Sequence, residues 1–190
     1  MIQENYLKSI NRQFLYYKSL GEKAMAQVDD EKLFWQLNED CNSIATIVKH
    51  LSGNMISRWT DFLTTDGEKE WRNRDGEFEN DIKTREEVIA LWDKGWERLL
   101  KTLNELKPED LEKIIYIRNE GHTVMEAINR QLAHYPYHVG QIVYVAKIIK
   151  SSSWESLSIP RNKSKEYNSG KFSEPKSQKH FTDEFLKKKD

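Results

Sequence analysis

The chain has 190 residues, enough for one domain with its own core and short for two. Thirty Lys and Arg against 31 Asp and Glu leave a net charge of −1, so no global field draws it to nucleic acid or to an anionic membrane. Apolar residues make up 37% and charged residues 32%, with no apolar run near the ~18 residues of a membrane span and no apolar leader in MIQENYLKSINRQ, so a soluble, cytoplasmic protein is expected.

From Ile2 to Val28, apolar or small residues recur every three or four positions (Ile2, Tyr6, Ile10, Phe14, Tyr17, Gly21, Ala24, Val28), which predicts a first long helix. Gly21 on that face implies close approach of a neighbour, because glycine costs about 1 kcal/mol of helix propensity relative to alanine. Cys41 is the single cysteine, which rules out an internal disulfide and fits a reducing compartment. It lies among acidic residues that disfavour a thiolate, so an inert thiol is expected.

Asn42 or Ser43 caps a second helix with the stripe Ile44, Ile47, Val48, Leu51, Met55, Trp59 and Phe62. His50 and Asn54 sit one turn apart on its flank, and Gly53 permits another close approach. The segment 64–83 then loses periodicity, with turn signals at Asp66-Gly67 and Asp75-Gly76 and anchors expected at Trp71 and Phe78. It reads either as a long crossover or as a loop roofing a site.

Thr84 and Glu87 form a capping box that opens a third helix running to Leu106, before Lys107-Pro108 breaks it. EKIIYI, ended by Arg118-Asn119-Glu120-Gly121, predicts a short extended segment or a small hairpin. A second capping box, Thr123 and Glu126, starts a fourth helix to Lys150 whose core face runs Val124, Ile128, Leu132, Tyr135, Val139, Ile142, Ala146 and Ile149. The remaining residues 151–190 lack sustained periodicity and read as an irregular arm, docked at Trp154, Leu157 and Ile159. That arm is basic: from Arg161 onward nine Lys or Arg meet five Asp or Glu, a net of +4 against −5 for the first 160 residues.

Beside the core face of the fourth helix lies a stripe of Gln131, His134, His138 and Gln141. Histidines at i and i+4 stand about 6 Å apart, close enough for both imidazoles to reach one divalent ion. His50 is the natural third donor, and three neutral imidazoles leave coordination positions open, as in catalytic rather than structural sites. Asn54, Gln131 and Gln141 would orient the rings. The competing reading is that histidines near an apolar face are hydrogen-bonded core residues. Pro136, between the pair, either kinks the helix or breaks it and undoes the spacing. His122 joins only if the hairpin folds inward. Tyr135 and Tyr137 are core aromatics at helical spacing, or proton donors beside the ion.

Four long helices, a histidine late in the second within IVKHLSGNM, a long crossover, and H-x-x-x-H in QLAHYPYHVGQI resemble the DinB-like metal-binding superfamily over residues 1–150. The phrase SIPRNKSKEYN resembles one uncharacterised branch. The resemblance implies an all-α, up-down-down-up four-helix bundle, often dimeric, with His50, His134 and His138 holding a divalent metal: zinc, nickel, iron or manganese. Better characterised relatives are transferases and isomerases that use low-molecular-weight thiols. On that analogy Arg58, Arg130 or Arg161 could hold a thiol cofactor's carboxylates, each being otherwise a surface or interhelix ion pair.

Two functions follow as expectations. The first is a metal-dependent enzyme, a thiol-using transferase or a hydrolase acting on a small molecule. The second is a non-catalytic metal-binding or dimeric interaction bundle. An open cleft beside the histidines favours the first; a site sealed by the segment 151–168 favours the second. Nucleic-acid binding rests on the basic arm alone.

Overall fold

A computed structural model of the chain describes residues 2–186. Among them lie six helices and one two-stranded sheet, in the order α1 (Ile2–Ala26), α2 (Ile44–Trp59), α3 (Arg85–Glu105), β1 (Ile114–Ile117), β2 (Glu120–Thr123), α4 (Val124–Lys150), α5 (Ser164–Ser173) and α6 (Asp183–Leu186). No helix among the described residues is long and apolar enough to cross a membrane.

The helix starts follow the expected local chemistry. Ser43 Oγ accepts from Thr46 N at the head of α2, and Thr84–Glu87 and Thr123–Glu126 form complete capping boxes at α3 and α4. Pro136 does not break α4, which is continuous from Val124 to Lys150.

Contacts give the helix directions. Ser52 Oγ donates to Leu91 O (2.7 Å) and Thr102 Oγ1 to Trp59 O (2.8 Å), so α2 and α3 run the same way. Tyr6 Oη donates to Asn129 Oδ1 (2.6 Å) near the start of both α1 and α4, whereas Asn11 reaches Asn104 and Lys18 reaches Asp93 across the oppositely directed α3. The core between the four helices is aromatic, with Phe14, Trp59, Trp92, Trp96 and Tyr135 fully buried. Gly21 meets the expectation of close packing: a Cβ there would lie 2.5 Å from Trp92 Cζ2.

The expected extended segment is a hairpin, β1 pairing antiparallel with β2 from Ile114–Thr123 to Ile117–Glu120. Arg118 and Asn119 form its turn with φ of 56° and 63°, a left-handed pair in which asparagine is at ease.

Two expectations need correction. Trp71 does not anchor the crossover, being 60% exposed, and the anchoring falls to buried Glu77 beside Phe78. The arm is less irregular than its sequence suggests, because α5 is helical yet buries no residue and so leaves no apolar period to read. Trp154 and Leu157 do pack against the core, but Ile159 is 39% exposed. The arm's further hold on α1 comes instead from fully buried Thr182, from Phe181 and Phe185 against Tyr16, and from His180 Nε2, 3.1 Å from Ser9 Oγ.

Candidate metal centre and its cleft

The helical periods of α2 and α4 bring three histidines together. His50 projects from α2 and faces His134 and His138 on α4, and one ring nitrogen from each lies within 4.8 Å of the others. Nε2 of His134 and Nε2 of His138 are 3.1 Å apart.

The outward nitrogens explain this convergence. His50 Nδ1 is 2.9 Å from Glu77 Oε2, His138 Nδ1 is 2.7 Å from Gln141 Oε1, and His134 Nδ1 is 3.3 Å from Gln131 Oε1. With an oxygen at each Nδ1, the proton of a neutral imidazole sits there and donates outward. Each Nε2 then turns a lone pair inward. Two such lone pairs 3.1 Å apart repel unless a cation or a proton lies between them. The donor set therefore fits a divalent ion of the borderline kind that imidazoles bind.

Burial, helped by neighbouring positive charge, keeps two of the rings neutral. Burial, then the neighbouring His138, His50 and arginine charges, pushes the His134 imidazolium down to about 3. Burial also lowers His138, against the opposing effect of the hydrogen bond its ring donates to Gln141. Burial would raise the Glu77 carboxyl, but hydrogen bonds from His50 and Arg72, together with the Arg72 charge, hold it below the usual range.

Glu77 comes from the crossover, which is stitched over the site. Asp66 accepts from Glu68 N (2.7 Å), Asn119 N (2.8 Å) and Arg118 N (2.9 Å), tying the loop to the hairpin turn. Ser57 Oγ donates to Gly67 O and accepts from Lys69 N, tying it to α2. Arg72 clamps Glu77 with Nε to Oε1 at 2.7 Å and Nη2 to Oε2 at 2.9 Å, and Phe78 stacks on His50 with ring centroids 5.0 Å apart. The segment is both crossover and partial roof.

What remains open is a cleft of about 440 Å³ lined by the three histidines, Asn54, Gln131, Tyr137, Phe78, Glu68 and five arginines, 58, 72, 74, 118 and 130. Among the described residues, none of the arm lines it. Larger hollows occur along the arm, but they hold no histidine cluster.

The other expected residues separate into groups. Arg58 and Arg130 line the cleft, while Arg161 is exposed on the arm and does not. Tyr137, 63% exposed, stands at the mouth with its ring 5.0 Å from that of His138. Tyr135 lies beneath the site, its hydroxyl accepting from Trp59 Nε1 (2.9 Å) and donating to Asn54 Oδ1 (3.0 Å), and burial raises its pKa. His122 stays on β2, outside the cluster. Cys41 lines a separate groove with Ile47 and Tyr144. Sequence reasoning missed Glu77, Arg72, Arg74 and Arg118. For Glu77, Arg72 and Arg74 the only hint was the density of opposite charges in GEKEWRNRDGEFEND, which singles out no position, and Arg118 stood out only as part of a turn.

Residues 1–163 match a protein family described as "Protein of unknown function (DUF1572)". No curated protein and no solved structure matches the chain.

Proposed function

The chain belongs to the DUF1572 family, whose function is unknown, and on that premise we propose that it is a divalent-metal-dependent enzyme of the DinB-like type. The relative directions of α1 to α4 support an up-down-down-up bundle. One observation carries the functional reading: three histidines converge at the wall of an open cleft, His134 and His138 through Nε2, while each Nδ1 is tied to an oxygen.

His50, His134 and His138 would hold the ion. Bound there, it would supply Lewis-acid chemistry, lowering the pKa of a coordinated water or low-molecular-weight thiol so that it attacks near neutral pH. The protein's own part is orientation and proton placement. Glu77 keeps the His50 proton on Nδ1, Arg72 holds Glu77, and Gln131 and Gln141 do for the other rings what Glu77 does for His50. Tyr137 at the mouth is placed to donate a proton to a leaving group on a small-molecule substrate. The reaction class is transfer to a thiol, or hydrolysis. An open cleft with no arm residue in it among the described residues supports turnover over a sealed, non-catalytic site.

We further infer a homodimer, supported by Leu37, Tyr144 and Ile148, which stand exposed around one groove beside α4. Light scattering of the eluting protein measures this directly.

The test of function is metal content by elemental mass spectrometry, on untagged protein and on His134→Ala, after reloading with zinc, nickel, iron or manganese. About one ion per native chain, lost in the variant, is expected and opens a screen with thiols and electrophiles. A native chain that takes up no ion overturns the reading.

A further inference from the structure

Arg58 is a buried charged side chain with one carboxylate at the outer limit of an ion pair and no hydrogen-bond partner among the described residues. It is 4% exposed, its Nε and Nη1 are buried without a hydrogen-bond partner, and its Nη2 comes no nearer than 4.0 Å to Glu68 Oε2. A buried guanidinium left this way is costly unless something else satisfies it. The carboxylates nearby are already engaged. Glu77 accepts from Arg72 and faces His50, and Glu68 accepts from Arg72 and Arg118.

Around the same cleft, Arg74 and Arg130 have no carboxylate partner among the described residues; Arg74 lies over the Phe78 ring at 5.5 Å. The five arginines meet one carboxylate among the residues lining the cleft, Glu68, with Glu77 and Asp66 beside it, so arginines outnumber carboxylates here. Whole-chain charge hides this, since the net is −1. Four elements supply the arginines: Arg58 comes from α2, Arg130 from α4, Arg72 and Arg74 from the crossover, and Arg118 from the hairpin turn the crossover is tied to. The close seat of the crossover is itself fitted to Arg58, since a Cβ on Gly67 would come within 2.7 Å of Arg58 Nη1.

We propose that the Arg58 end of the cleft is a subsite for the carboxylate or phosphate group of a small molecule whose other end reaches the histidine cluster. Arg58 stands two turns beyond His50 on α2, about 12 Å along the helix axis, so the ligand has an anionic end well separated from its reacting end. A volume of about 440 Å³ lies in the range of small-molecule sites, about 300–1,000 Å³, and not of a groove for a folded partner. Arg58 supplies the desolvated donor, and Arg130 and Arg74 close on the anion from the rim, where planar guanidinium groups match planar or tetrahedral oxyanions. The inference rests on the metal reading only for what happens at the ligand's far end.

Calorimetry with inorganic phosphate and with malonate, on the metal-free full-length chain, tests it. Saturable binding of one or both is expected, with the tighter of the two assigning the anion as phosphate or carboxylate. Binding should weaken about tenfold or more in Arg58→Gln and by a smaller factor in Arg130→Ser, with Arg161→Gln, exposed on the arm outside the cleft, unchanged. Because Arg58 is buried, Arg130→Ser and Arg74→Ser at the rim decide the matter if Arg58→Gln does not fold. Absence of saturation by either anion, binding indifferent to the arginine substitutions, or binding that appears only after zinc loading overturns the proposal. Anion binding by a chain that takes up no metal would leave this subsite standing and remove the metal reading, so the two failures are distinct.

Discussion

Glu77 Oε2 lies 2.9 Å from His50 Nδ1, although the two residues are 27 positions apart and come from a loop and a helix. Both side chains are 7% exposed, so this is a desolvated pair in which the carboxylate decides where the imidazole proton sits.

Replacing Glu77 by alanine should therefore do two separable things. Metal affinity is expected to fall about 10–100-fold, as for loss of a partner behind a ligating histidine. Stability should fall by about 3 kcal/mol because Arg72, 3% exposed, loses its bidentate partner. The double variant Glu77→Ala/Arg72→Met should recover much of the stability and none of the affinity. Chelator competition and urea unfolding measure the two effects; recovery of both together would mean that the carboxylate acts through folding alone.

Gly53→Ala probes the same contact from α2. The new Cβ would lie 2.6 Å from Glu77 Cδ and must displace the carboxylate that Arg72 clamps. Alanine contributes about 1 kcal/mol of helix propensity in partial compensation. A variant with little loss of unfolding free energy but clearly weaker metal binding is expected. Unchanged affinity would show that Glu77 can move without consequence.

The crossover should stay latched to the hairpin at neutral pH and release only in strong acid. Burial acts to raise the Asp66 carboxyl, but the backbone N–H groups of Asn119, Glu68 and Arg118 hold it below its ordinary value of 3.8. The folded value is the lower one, so this group's stabilisation is complete above about pH 4 and lost as pH falls through the depressed folded value. Amide chemical shifts of Arg118 and Asn119 should titrate with a midpoint below 3.8. Asp66→Asn should loosen the loop at every pH; a midpoint at or above the ordinary value argues against the latch.

Tyr135→Phe should destabilise the chain by about 1–3 kcal/mol, because Trp59 Nε1 and Asn54 Oδ1 would each lose a buried partner. Metal stoichiometry should be unchanged, since Tyr135 lies beneath the histidine cluster. Tyr137→Phe, at the exposed mouth, should leave the unfolding midpoint in place. The reverse pattern would exchange the roles of the two tyrosines.

Much of the scaffold was legible in the chain. Ser43, Thr84 and Thr123 with their partners start the three helices where expected, because a cap is a local hydrogen bond between residues three apart. Gly21 announced a close contact before its partner, Trp92, was known. Helix α5 was not legible, since it buries nothing. Nor was the failure of Trp71 as an anchor, because a loop aromatic carries no period to say which side it faces.

The amino-acid sequence by itself determined the spacing of His134 and His138 on one helix face and the flanking position of His50, since the 3.6-residue period sets which side chains share a side. Tertiary structure alone decided that Glu77 stands behind His50, that Asp66 ties the crossover to the hairpin, and that five arginines surround one cleft. These pairings join residues up to 53 positions apart. No local period encodes them; they exist because packing of the four helices brings two irregular segments over the same end of α2 and α4.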